Sequence, residues 1–138
     1  MRPIPQGVAV VVPQHGNLLV IRRSASVRAP RAFCFPGGGL EPGEVESAAV
    51  VREMQEELGV LALPDRLLWR STTPWGFGLA WWLCRLASVE FQLNPLEVES
   101  AHWFKPAEIE RLPGLLESNR QFFQAWRQGL FELPLEIP

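Results

Sequence analysis

From Gly38 the chain runs five residues to Glu44 and seven more to Arg52-Glu53-Met54-Gln55-Glu56-Glu57-Leu58-Gly59-Val60. At usual residue frequencies, chance gives that spacing on the order of once in a billion windows. Glu53, Glu56 and Glu57 stand at i, i+3 and i+4, so on a helix their carboxylates project together. Two unit charges about 6 Å apart repel by roughly 3 kcal/mol at an effective dielectric near 20. Arg52 is the only nearby cation in the stretch. A solvated acidic helix face is the ordinary reading of such a cluster. The fixed spacing and the glycines upstream favour a divalent cation instead, and magnesium takes one or two carboxylates together with waters and phosphate oxygens.

The same segment carries an apolar stripe, Val45, Ala48, Val51, Met54 and Leu58, able to dock a helix on a sheet with its acids facing away. Gly59 falls where helices commonly end in the left-handed conformation. Ahead of the helix, Phe35-Pro36-Gly37-Gly38-Gly39-Leu40-Glu41-Pro42-Gly43-Glu44 reads as a strand end and a tight loop. Its glycines allow positive φ and close backbone approach to a cation or phosphate.

The run from Gly38 to Val60 resembles the signature box of the Nudix hydrolases and departs from that pattern nowhere. The resemblance implies an α/β Nudix fold, in which a mixed β-sheet is sandwiched between helices and carries a loop–helix–loop catalytic motif. It implies cleavage of a nucleoside diphosphate linked to another group, with Mg2+ or Mn2+ as cofactor. By the same resemblance, Glu56 and Glu57 are metal ligands and Glu53 is a ligand or the general base. The carbonyl of Gly37 is a further ligand, Arg52 orients the carboxylates, and Glu44 supports the loop or an outer-sphere metal contact. Gly38 and Gly39 would lie along the substrate.

The whole chain, residues 1–138, reads as one domain, long enough for a single core. A net charge of −2 argues against a nucleic-acid duplex as partner. Neither a secretory signal nor an apolar run of membrane-spanning length is visible, so a cytoplasmic enzyme acting on a small nucleotide is expected. Cys34 and Cys84 sit in apolar runs and read as buried reduced thiols. Val8–Val12 and Leu18–Arg22 read as a hairpin about Pro13-Gln14-His15-Gly16-Asn17. Further strands are expected over Leu67–Thr72, Leu79–Leu86 and Glu99–Phe104. A helical turn should follow from Pro106, and a last helix, capped by Ser118 or Asn119, should turn Phe122, Phe123 and Trp126 inward.

Outside the box, Glu97 and Glu99 precede the aromatic strand around Trp103, where Nudix enzymes place an alternative base. Trp75 and Phe77, in a glycine-punctuated loop, could stack on a base. Among Arg22, Arg23, Arg28 and Arg31, Arg22 is the candidate for a phosphate. No nucleophile has a base beside it in sequence, so covalent catalysis finds no support. The preferred reaction is hydrolysis of a nucleoside or deoxynucleoside triphosphate to the monophosphate and pyrophosphate, as in MutT-like relatives. The alternatives are an ADP-ribose or nucleoside diphosphate sugar pyrophosphatase and a non-catalytic Nudix-fold sensor. Pro74 matches a proline of some ADP-ribose-cleaving relatives, without the acid they place after it. The tryptophan content and the tail Leu133–Pro138 are compatible with a homodimer.

Overall fold

The computed structural model describes residues 6–135. Its strands are β1 (Gln6–Val11), β2 (Pro13–Gln14), β3 (Asn17–Arg23), β4 (Phe33–Cys34), β5 (Gly37–Gly39), β6 (Ala62–Thr72), β7 (Gly78–Leu86) and β8 (Val98–Phe104). Its helices are α1 (Glu46–Leu58), α2 (Pro106–Glu110) and α3 (Glu117–Arg127). One sheet has the order β5-β1-β7-β6, with β1 and β7 parallel and the outer pairs antiparallel. In the other, β3 pairs antiparallel with β2, β4 and β8.

Side chains alternate across these strands and are buried on both sides. Val8, Val10, Leu19 and Ile21 join Ala49, Val50, Met54 and Leu58 of α1 in one core. Ala9, Val11, Leu18 and Val20 join Phe122 and Phe123 of α3 and Ile109 of α2 in the other. Burial on both faces is why these strands read as continuous apolar runs rather than alternating ones. The result is a mixed α/β/α layering, as expected. In the α3 layer the rings of Trp81 and Phe122 stack at 4.7 Å, with Phe35 edge-on to both. Cys34 and Cys84 are free and buried.

Four local expectations need correction. The turn at His15-Gly16 does reverse the chain, but the hairpin pairs only Pro13–Gln14 with Asn17–Leu18. β1 leaves for the other sheet, and Pro13, which lacks an N–H, stands where the strand changes partners. The glycines form no loop: Gly37–Gly39 is a strand paired with Gly7–Ala9. Of the three, only Gly37 has positive φ, and a Cβ there would lie 2.0 Å from the Val8 carbonyl oxygen.

The buried face of α1 is also rotated from the expected stripe. Val45 is 65% exposed, Ala48 exposed and Val51 half-buried, whereas Ala49, Val50, Glu53, Met54, Glu57 and Leu58 face inward. Side-chain-free β5 leaves room on that side, and the acids at 53 and 57 fill it. Finally, neither Ser118 nor Asn119 caps α3, whose N-cap is Leu116. Asn119 is instead buried and accepts the Phe35 N–H at 2.9 Å, tying α3 to the strand end before the glycines.

Candidate functional site

α1 begins without a side-chain cap, and Glu46 in its first turn is held by the sheet instead. Its carboxylate accepts Arg70 Nη1 and Nη2 at 2.6 and 3.1 Å from β6 and Trp82 Nε1 at 3.0 Å from β7. The helix ends at Gly59, with φ 64° and its N–H donating to the Gln55 carbonyl at 3.0 Å. The next carbonyls are covered by a distant segment: Asn94 N–H donates to Glu57 O at 3.0 Å and Gln92 N–H to Leu58 O at 2.8 Å. Both ends of the acidic helix are therefore fixed by non-local bonds.

Arg52 is the hub of the cluster. It donates Nε to Glu44 Oε2 and Nη2 to Glu44 Oε1, each at 2.8 Å, and Nη2 to the Gly39 carbonyl at 2.9 Å. Its Nη1 bridges Glu53 Oε1 at 2.9 Å and Glu56 Oε2 at 3.3 Å. The hydrogen bond from Arg52, with another from the Glu41 N–H, holds Glu44 down at about 2. Arg52 itself is raised by these partners, the bond to Glu44 first.

Glu57 has no share in that guanidinium. It is 5% exposed and accepts the Gly37 N–H at 2.8 Å. Burial pushes its carboxyl up to about 8, against that amide bond, and the charges of Glu53 and Glu97 add to the rise. Glu53, 9% exposed, is also raised by burial, partly offset by Arg52. Its carboxylate lies where a side chain at Gly38 would go: a Cβ there would stand 2.5 Å from Glu53 Cδ. Glu56 alone of the three is exposed. The acids thus do not sit together on a solvent face; two point into the protein beside bare glycine backbone.

The other expected residues divide. Glu97 lies within the electrostatic reach of Glu53 and Glu57. Glu99 instead pairs with Arg22 at 3.5 Å and Arg31 at 3.4 Å. Arg22 is occupied by Glu99, by the Arg31 carbonyl at 3.0 Å and by the face of Phe33 at 5.1 Å. Phe77 packs over Gly7, beside the Gly38 carbonyl, while Trp75 is 77% exposed at the loop tip. Arg23, grouped in sequence with Arg22, Arg28 and Arg31 only as a possible phosphate contact, has a charge that reaches Glu57 and Cys34. The signal was its position on β3, in step with Leu19 and Ile21, which point toward α1.

The donor set suits a hard divalent cation, because it is carboxylate-rich and one of its acids, Glu57, is buried against backbone without an ion-pair partner among the described residues. Among the described residues no three acidic, His or Cys side chains close into a cage around one point. The arrangement matches a cation that shares a few carboxylates with substrate oxygens and water. Among the described residues no helix is long and apolar enough to cross a membrane.

Comparison with known proteins adds three findings. A family model described as NUDIX domain matches residues 2–126. The chain is 33% identical over 97 residues to an NAD-capped RNA hydrolase, NudC, of Deinococcus radiodurans, covering 68% of this chain and 34% of that protein. It is 35% identical over 60 residues to the 8-oxo-dGTP diphosphatase of Escherichia coli, covering 44% and 46%. The chain thus spans less than half the length of these two curated relatives. The crystal structure of a MutT protein from Methanosarcina mazei superposes with a TM-score of 0.79 at 20% identity, covering 95% of this chain and 98% of that one.

Proposed function

Because the chain belongs to the NUDIX domain family, we propose that it is a metal-dependent pyrophosphohydrolase. Its substrate would be a nucleoside diphosphate derivative, with a nucleoside or deoxynucleoside triphosphate preferred, giving the monophosphate and pyrophosphate. The observation carrying this reading is the pairing of a buried Glu57, held by the Gly37 amide, with the Arg52-bundled Glu53 and Glu56 beside side-chain-free Gly37–Gly39.

Divalent-metal use is general in this family, and magnesium is the proposed ion, with manganese able to replace it. Glu56, Glu57 and Glu53 would hold it; Gly37 meets the cluster through its amide, which anchors Glu57. When bound, such an ion supplies charge neutralisation at the phosphates and a more acidic water. Arg52 keeps Glu53 and Glu56 in register while bracing Glu44 and the Gly39 carbonyl. Glu53 takes the proton of the water that attacks phosphorus; the anhydride P–O bond breaks and pyrophosphate departs. Burial raises the carboxyl of Glu53, which makes it a stronger proton acceptor than an exposed glutamate. Glu97 is the second candidate for that role, ahead of Glu99, whose carboxylate is engaged by Arg22 and Arg31.

The similarity to the 8-oxo-dGTP diphosphatase supports a triphosphate substrate. The test is product release with magnesium from a panel of dNTPs, 8-oxo-dGTP, ADP-ribose and diadenosine polyphosphates. Pyrophosphate from a triphosphate is the expected result. AMP from ADP-ribose, with triphosphates untouched, would replace the substrate assignment; no turnover of any member would overturn the enzyme reading in favour of a sensor.

A further inference from the structure

The segment between β7 and β8 straps the C-terminal end of α1, and its own position is set from the far side by Ser24. The strap is bonded to Glu57 O through Asn94 N–H at 3.0 Å and to Leu58 O through Gln92 N–H at 2.8 Å. It then turns tightly. Asn94 O accepts Glu97 N–H at 3.0 Å and Val98 N–H at 2.8 Å, and Asn94 Oδ1 accepts Leu96 N–H at 3.1 Å. That turn delivers Glu97, whose charge is felt by Glu53 and Glu57.

Ser24, just past β3, is 5% exposed although polar. Its N–H donates to Glu97 O at 2.9 Å, and its hydroxyl donates to Leu96 O at 2.8 Å while accepting the Ser26 N–H at 3.2 Å. Two consecutive carbonyls of the strap therefore end on one buried serine. Leu96 itself is exposed, so its own side chain does not hold this part of the turn, which is anchored by packing only at its ends, through Leu93 and Val98. Opposite it, β8 bulges at Glu99, since Arg22 faces Ser100 but Arg23 faces Val98. A bulge of this kind re-aims the neighbouring strand, and Ser24 fixes where the re-aimed residues come to rest.

We propose that Ser24 is a positioning residue that fixes the turn carrying Glu97 at the C-terminal end of α1, the helix of Glu53 and Glu57. The claim deepens the proposed hydrolase reading and rests on it for its catalytic consequence. In Ser24→Ala the Leu96 carbonyl loses its donor, and the turn is free to shift Glu97. Displacements near 1 Å at a reacting site cost up to about 100-fold in rate.

Two readouts test it. In metal-free protein, hydrogen exchange at the Glu97 and Val98 amides should quicken at least about tenfold in Ser24→Ala, with Met54 in α1 unchanged, and return in Ser24→Thr, which keeps the hydroxyl. Unchanged exchange at Glu97 overturns the proposal whatever the enzyme does. With dGTP and magnesium, Ser24→Ala should lower kcat about tenfold at nearly constant KM, and that loss should vanish in a Glu97→Gln background. Additive losses, or a Glu97→Gln enzyme as fast as wild type, overturn it too. A wild-type protein inert toward dGTP counts against the triphosphate assignment, and the exchange readout still decides the placement of Glu97.

Discussion

Glu53 rests on the missing side chain of Gly38. A Cβ at that position would meet its carboxylate at 2.5 Å, whereas the strand backbone of β5 accommodates alanine. Gly38→Ala should therefore leave the fold intact, at an overpacking cost of about 1–3 kcal/mol, while displacing Glu53 and lowering kcat on the order of 100-fold. Circular dichroism and steady-state kinetics on the same preparation separate the two effects. Glu53→Gln keeps the shape but not the proton acceptor, and should lower kcat by at least about 100-fold without unfolding the protein. Near-wild-type turnover would move the base to Glu97. The identities and spacing of these residues were legible in the sequence. The burial of Glu53 and Glu57 was not, because a stripe counted from Val45 hides that the two ridges through Ala49 and Val50 face the core. The space that admits the acids comes from β5, a strand that reads in sequence as a turn.

At the scale of elements, α1 is pinned at its start by the Glu46–Arg70–Trp82 cluster and at its end by the strap. Burial raises the Glu46 carboxyl, but hydrogen bonds from Arg70 and Trp82 outweigh it and leave the group below its ordinary 4.5. A carboxylate depressed in the folded state stabilises above its unfolded pKa, and that contribution is lost as pH falls through the folded one. Wild type should thus melt above Glu46→Gln at neutral pH, and the gap should close on acidification below about 4.5. A gap that persists in acid would assign the effect to shape rather than charge. The elements themselves were mostly legible: β7, β8 and α3 fall close to where the apolar runs suggested, although the caps expected for α3 do not cap it. The hairpin misled because a sequence shows reversal at His15-Gly16 but not the exchange of sheets at Val12, which depends on β7 lying parallel to β1.

For the whole molecule, the carboxylate cluster is a charge imbalance built into the fold. Glu57 sits at about 8 when folded, against an ordinary 4.5, because burial disfavours its charged form. The folded metal-free protein therefore holds a proton that the unfolded chain has released, and its stability falls as pH rises between those values. A divalent ion held there would displace that proton and add stability that grows with the logarithm of its concentration over Kd, so the rise in Tm with magnesium should grow from acid to alkaline pH. A rise that stays flat across that range would remove Glu57 from the ligand set. The family and the layered architecture were legible from the box, whereas the substrate was not, since in the proposed reading residues 38–60 meet phosphates and metal rather than the attached group. The most direct test of the account is a calorimetric titration of magnesium near neutral pH, in two buffers of different ionisation enthalpy, into wild type and Glu57→Gln. Wild type should bind with release of up to about one proton per ion, and the variant should bind more weakly with no such release. Equal affinity and equal proton release in both proteins would contradict it.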